Sequence, residues 1–241
     1  MLIVLNLSSS YRYVFIDFET TWLNIETDYP IQIACIALDP KLQVLDHYTS
    51  YISLPKDADG LKTNISYITW IQESILKNQG QALETVAQEI AWFFGDDVIL
   101  IGQNIWFDIN FLEKFFPECH YHNSIDSYEL ALSSLPYLGS YALESIDKHL
   151  TSRDKPSLDL KTSLIDRLSD DRELSSHDAL YDCIVGIVFV KRFLGQITNF
   201  VDNYPLLGHI IHATDQQEFS LLSVLDLQIK PQKPSSYKLP V

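Results

Sequence analysis

Residues 11–22 read YRYVFIDFETTW. An apolar, β-branched and aromatic run closes on two acids, which predicts a strand over 11–18. Side chains at i and i+2 of a strand share one face, so Asp17 and Glu19 project together where the strand ends. Two adjacent carboxylates repel unless a cation lies between them, and an all-oxygen donor set suits a hard ion such as Mg²⁺ or Mn²⁺. A solvated strand end would carry the same letters, so the pair alone does not decide the chemistry.

Outward from that strand, 31–38 (IQIACIAL) and 42–54 are also strand-like, with Asp39-Pro40 as a turn. The first three strands are therefore expected to form an antiparallel meander. Residues 98–101 (VILI) predict a short buried strand. Helical spacing marks 82–94 through Leu83, Val86, Ile90 and Phe93. Further helices are expected over 108–116, stopped by Pro117, and over 127–135 and 141–150. The longest spans 175–194, with Ser175 or Ser176 as N-cap. Residues 151–173 are polar without clear period and read as a mobile loop. Strands first, then strands alternating with helices, give an α/β domain with a mixed sheet. Sites in such sheets lie at the carboxyl ends of strands.

Two further segments carry candidate chemistry. Asp108 lies in IGQNIWFDINFL, just past a buried strand and at a helix start, a place the helix dipole favours for any acid. His177 and Asp182 lie in SSHDALYDCIVG at the start of the longest helix. Asp182 stands beside Ile184 and Val185, where a carboxylate costs free energy unless it is paired or binds metal. A lone histidine at that point reads equally well as a surface residue.

Taken in order, these pieces resemble the DEDDh, or DnaQ-like, exonucleases of the ribonuclease H-like fold. Asp17 and Glu19 match the first motif, Asp108 the second, and His177 with Asp182 the third; the resemblance covers roughly residues 11–194. Asn104 and Phe107 match the second motif's surroundings, Ile125-Asp126 resembles an "iDT" segment, and Ser140 to Leu143 a "ysL" helix start. The sibling class carries tyrosine four residues before the last acid; here that residue is Asp178.

The resemblance implies a five-stranded mixed sheet, with three antiparallel meander strands plus parallel strands, flanked by helices. It implies two divalent cations, Mg²⁺ or Mn²⁺. Asp17, Glu19 and Asp182 would hold one, Asp17 would bridge to the second, and Asp108 would support that second ion. His177 would be the general base. Thr20, Trp22 and Leu23 would grip the terminal nucleotide, with Asn104 and Phe107 also on the substrate side. The activity implied is 3′→5′ release of nucleoside 5′-monophosphates, with single-stranded DNA favoured over RNA. An RNA-trimming enzyme like oligoribonuclease or ribonuclease T is the alternative, and a catalytically silent nucleic-acid-binding module the remote one.

Departures from the family pattern are specific. Trp22 and Trp70 stand where the family has glycine, and Trp106 where it often has a small residue; glycine is only 8 of 241 residues, about 3% against a usual ~7%. Two readings stay open for Trp22, Trp70, Trp92 and Trp106: ordinary divergence, or UGA codons for glycine translated as tryptophan. Gln103 replaces a frequent histidine, which implies tuning and not loss of activity.

Composition sets the remaining expectations. The chain of 241 residues is 46% hydrophobic, enough for one sizeable core. The expected division is an exonuclease domain over 1–196 and an extension over 197–241. A net charge of −15 makes a poor non-specific binder of polyanions, so contact with few nucleotides at the 3′ end and low processivity are expected. Cys35, Cys119 and Cys183 have no CxxC spacing and read as free thiols in a reducing compartment. The first ten residues lack a basic start, and no run of 18 apolar residues occurs, so a cytoplasmic protein without a membrane partner is expected. Residues 230–240 (KPQKPSSYKLP) predict an extended tail. Residues 217–222 (QEFSLL) loosely resemble a sliding-clamp peptide, which would imply a polymerase or clamp partner; an apolar segment packing on the domain is the other reading.

Overall fold

Strand β1 (Arg12–Thr20) lies at the middle of a five-stranded sheet of order β3-β2-β1-β4-β5. The computed structural model describes residues 11–203 except 57, 59 and 136, with backbone alone over 194–203. β2 (Pro30–Leu38) pairs antiparallel with β1, and β3 (Val44–Tyr51) antiparallel with β2. β4 (Gly95–Gly102) and β5 (Tyr121–Asp126) add in parallel on the other side. The expected mixed sheet and its meander are both present. The Asp39 turn forms as read: its Oδ1 accepts from the backbone N–H of Lys41 (2.9 Å) and Gln43 (2.8 Å).

The helices are α1 (Thr63–Thr69), α2 (Glu73–Gln79), α3 (Leu83–Ile90), α4 (Trp106–Phe115), α5 (Ser127–Ser134), α6 (Leu143–Arg153), α7 (Lys155–Leu168) and α8 (Ala179–Asn203). Alternation along β1 sorts α3 to α8 into two layers, while α1 and α2 share a small cluster of their own with Ile31. Tyr13 and Phe15 pack into one core with residues of α5, α6, α7 and α8. Val14, Ile16 and Phe18 face the other way, into a core with α3 and α4. Asp17 and Glu19 continue the Tyr13–Phe15 row, so they emerge on the α8 side.

Three sequence expectations need correction. Residues 151–173 are not a loop, because α7 occupies most of them. Asp154 caps it by accepting from Ser157 N (3.0 Å), Pro156 sits in its first turn, and Leu164 and Leu168 are buried. Helix α8 begins at Ala179, later than expected, because Asp178 and not Ser175 or Ser176 supplies the capping oxygen to Leu180 N (3.0 Å). It also runs past 194, to Asn203. Helices α1 and α2 and strand β5 had no clear signal; in β5 only Ile125 is buried.

Gly186 sets the distance between α8 and β1. A Cβ there would lie 2.6 Å from Cε1 of Phe15, so only glycine lets the helix lie this close. Asp182 is one turn earlier on the same helical face. Among the described residues, no helix is long and apolar enough to cross a membrane. Residues 217–222 and 230–240 lie outside the described residues.

Candidate active site

Four acids meet where β1 and β4 end. Asp17 and Glu19 come from β1 and keep partly exposed edges. Asp182 comes from the first turn of α8. Asp108 comes from the first turn of α4, is 2% exposed, and accepts a hydrogen bond from Phe18 N (2.9 Å). That bond ties the second acidic segment to the backbone between the first two acids. His177 is exposed at the edge, just ahead of α8, with a left-handed backbone of φ +64°. One ligand atom from each of Glu19, His177 and Asp182 lies within 4.8 Å of the others.

The electrostatics reflect that crowding. Burial pushes the Asp17 carboxyl well above the usual range, and the charges of Asp108, Asp182 and Glu19 push it further. Glu19 rises to about 9 through burial, then Asp182, Asp108 and Asp178. Burial raises Asp182 to about 7 with help from Asp178, against a hydrogen bond from the His177 backbone. Burial raises Asp108 too, opposed by the bond from Phe18 N–H. Among the described residues, no Lys or Arg forms an ion pair with any of the four. Carboxylates so placed ionise together only if cations join them. The donor set, carboxylate oxygens with one imidazole nearby, fits hard divalent ions.

The other expected residues divide. Trp22 and Leu23 are exposed on a tightly built loop. Thr21 Oγ1 donates to Asp28 Oδ1 (3.0 Å), Asn24 N donates to Asp28 Oδ2 (2.8 Å), and Lys114 Nζ donates to the carbonyls of Ile25 and Glu26. Thr20 is buried and donates to the Trp22 carbonyl (2.5 Å), so its hydroxyl shapes that loop. Asn104 is exposed at φ +56°, its N–H held by Asp126 Oδ1 (2.9 Å). Phe107 is half-buried against Phe111, ring centroids 4.9 Å apart, which is a packing role. Gln103 is a strut: it donates to the Tyr141 carbonyl (2.8 Å) and accepts from Ser127 Oγ (2.8 Å).

Two residues beside the site were given no role by sequence reasoning. Gln32 bonds Asp178 and the start of α8, and the only signal was one polar letter inside IQIACIAL. Asp178 caps α8 and raises its neighbours' pKa values.

A family model named RNase_T and described as "Exonuclease" matches residues 14–187. The 3′-5′ exonuclease DinG of Staphylococcus aureus (strain USA300) is 31% identical over 138 residues, 56% of this chain and 15% of that protein. The fold is similar to that of E. coli exonuclease I in complex with a dT13 oligonucleotide: TM-score 0.60 and 21% identity, covering 88% of this chain and 46% of that one. Exonuclease I from Methylocaldum szegediense gives a TM-score of 0.58 at 19% identity, covering 80% and 43%. The chain thus spans less than half the length of each of these relatives.

Proposed function

The chain belongs to the DnaQ-like exonuclease family with its ribonuclease H-like fold, and from that premise we propose that it removes nucleotides singly from a nucleic-acid 3′ end. The observation that carries this reading is the cluster of Glu19, Asp182 and His177 within ligand distance of one another, with Asp17 and Asp108 near enough for their charges to act on it, at the carboxyl ends of β1 and β4. Asp17, Glu19 and Asp182 would hold one divalent cation, and Asp17 with Asp108 a second, Mg²⁺ or Mn²⁺ in both places. When bound, such a pair supplies positive charge for the attacking and leaving oxygens of an in-line displacement.

His177, exposed at the edge of the acids, takes the proton from the attacking water as general base. The rigid loop that presents Trp22 and Leu23 receives the terminal nucleotide, and Trp22 can stack on a base for ~1–3 kcal/mol. Asn104 is exposed close by in sequence to Asp108 and suits a contact to the strand. Phe107 supports that wall from within the core.

Single-stranded DNA is the substrate we favour, in line with the dT13 complex of the fold relative; matched DNA and RNA oligonucleotides decide between it and RNA trimming. The net charge of −15 limits contact to few phosphates, which supports low processivity. A steep salt slope of binding would contradict this. Three buried free cysteines support a reducing, cytoplasmic setting. A proofreading or repair role, with a polymerase or clamp met through 217–222, is consistent with the sequence there.

The test is digestion of 3′- and 5′-labelled oligonucleotides with Mg²⁺, Mn²⁺ or EDTA. Stepwise shortening from the 3′ end that EDTA abolishes is expected. Full activity in Asp17→Ala would refute the site.

A further inference from the structure

We infer that Gln32 is a positioning residue that fixes the His177 turn against the acidic face of the sheet, an inference that rests on reading His177 as the general base. Gln32 is 1% exposed in a strand whose neighbours Ile31, Ile33 and Ala34 are fully buried. A buried primary amide is costly unless both its ends are paired, and here both are. Its Nε2 donates to Asp178 Oδ2 (3.0 Å), and its Oε1 accepts from Ala179 N (3.1 Å). Gln32 is also the cross-strand partner of Glu19, so the two side chains stand next to each other on one face.

The residue after His177 is consequently held from several sides. Asp178 Oδ1 caps Leu180 N (3.0 Å) and Tyr181 N (3.4 Å), while Oδ2 receives Gln32 and pairs with Arg172 at 3.7 Å. His177 itself holds φ +64°, a conformation that non-glycine residues keep only when their surroundings enforce it. Those surroundings are the Asp178 cap and the Gln32 bridge. The bridge spans from the Glu19 row of the sheet to the side chain and following peptide of Asp178, the residue next to His177, so it sets how His177 stands toward Glu19 and Asp182. An apolar residue at 32 would keep the strand and release the turn.

The test uses the full chain with Gln32→Leu, Gln32→Glu, and the double variant Gln32→Glu/Asp178→Asn. Gln32→Glu sets two carboxylates against each other. The double variant restores a donor facing an acceptor, still accepts from Ala179 N, keeps a capping oxygen at 178, and leaves the local charge unchanged. Three readouts are needed: thermal melting, the His177 imidazole NMR signals without metal or substrate, and kcat and KM on a single-stranded DNA oligonucleotide with Mg²⁺.

Both single variants should shift the His177 signals and lower kcat by roughly 10- to 100-fold, as expected of a misplaced catalytic group, with KM little changed. The double variant should recover both. Unmoved His177 signals with parental kcat in Gln32→Glu would overturn the inference, as would a folded double variant no better than Gln32→Glu. If Gln32→Leu fails to fold, the other two variants carry the test. Should Asp17→Ala keep full activity, the functional reading falls while the NMR signals still score the Gln32 bridge.

Discussion

Two groups of buried acids in this molecule are built in opposite ways. Asp147 on α6 brings its own cation. Lys161 Nζ lies 2.7 Å and 2.8 Å from its two oxygens, Tyr181 Oη donates to it at 3.0 Å, and the charged pair is only 13% exposed. Asp17, Glu19, Asp108 and Asp182 have no such partner among the described residues, although they crowd one another. An acid that serves the fold alone is neutralised from within the chain. Acids left without a partner, at the ends of the central strands, are open to cations from solution.

Substitution separates the two groups most sharply. Asp17→Asn should cut exonuclease activity by roughly 1,000-fold or more, the scale of an electrostatic catalytic contribution, while the metal-free melting temperature stays level or rises because an amide needs no proton to be neutral among those acids. Lys161→Met should do the reverse. Stranding Asp147 costs about 3–5 kcal/mol of stability, read by denaturant melts, with little change in kcat for whatever remains folded. A large loss of stability in Asp17→Asn would break the contrast.

Gly186→Ala probes what brings the unpaired acids together. The substitution gains about 1 kcal/mol of helix propensity but forces a methyl against Phe15, at an overpacking cost of about 1–3 kcal/mol. A net loss of about 1 kcal/mol is expected. Because Asp182 shares that helical face, kcat should fall more than stability does. Unchanged kcat with lowered stability would mean that the helix tilts without moving Asp182.

pH resolves the same contrast on a smaller scale. Glu19 at about 9 and Asp182 at about 7 lie above their unfolded values, near 4.5 and 3.8. The folded chain therefore holds protons that the unfolded chain releases. That stability is complete below about pH 4 and is lost as pH rises through 7 and toward 9. Without divalent cations, melting should be highest in mild acid. Mn²⁺ or Mg²⁺ should raise it by a few degrees at pH 8–9 and hardly at all at pH 5. Equal effects at both pH values would place the bound ions elsewhere.

How much of this was legible follows from where the signals lie. Asp17, Glu19, Asp108 and Asp182 could be read because each closes or opens an apolar element, where a charge stands out. The meander could be read from strand composition and the Asp39 turn. Helix α7 could not be read from periodicity, because its buried Leu164 and Leu168 are diluted by a polar exposed surface; its Asp154-Lys155-Pro156 start was the usable signal. Gln32 was hidden because a polar residue inside a strand acquires meaning only when its partners, 146 and 147 positions away, are known. Thr20 and Phe107 were assigned to the substrate side through the family resemblance; what their hydrogen bond and packing add, a loop contact and a core contact, no single letter of the sequence carries.

The smallest effect concerns tryptophan. Trp70 closes α1 at φ +59°, a left-handed C-cap position where glycine is the residue of least cost, and its side chain is 68% exposed. Trp70→Gly should therefore stabilise the chain by about 0.5–1 kcal/mol, a rise of a few degrees in melting temperature. Trp22, Trp92 and Trp106 are exposed too, but none takes a positive φ, so glycine there relieves no backbone strain. The backbone thus favours glycine at one of the four positions. If Trp70→Gly stabilises and the codon at 70 is UGA, glycine is the residue this backbone was built for. A UGG codon with the same gain would mean instead that an exposed tryptophan is kept there against the local backbone preference, as a binding surface would require.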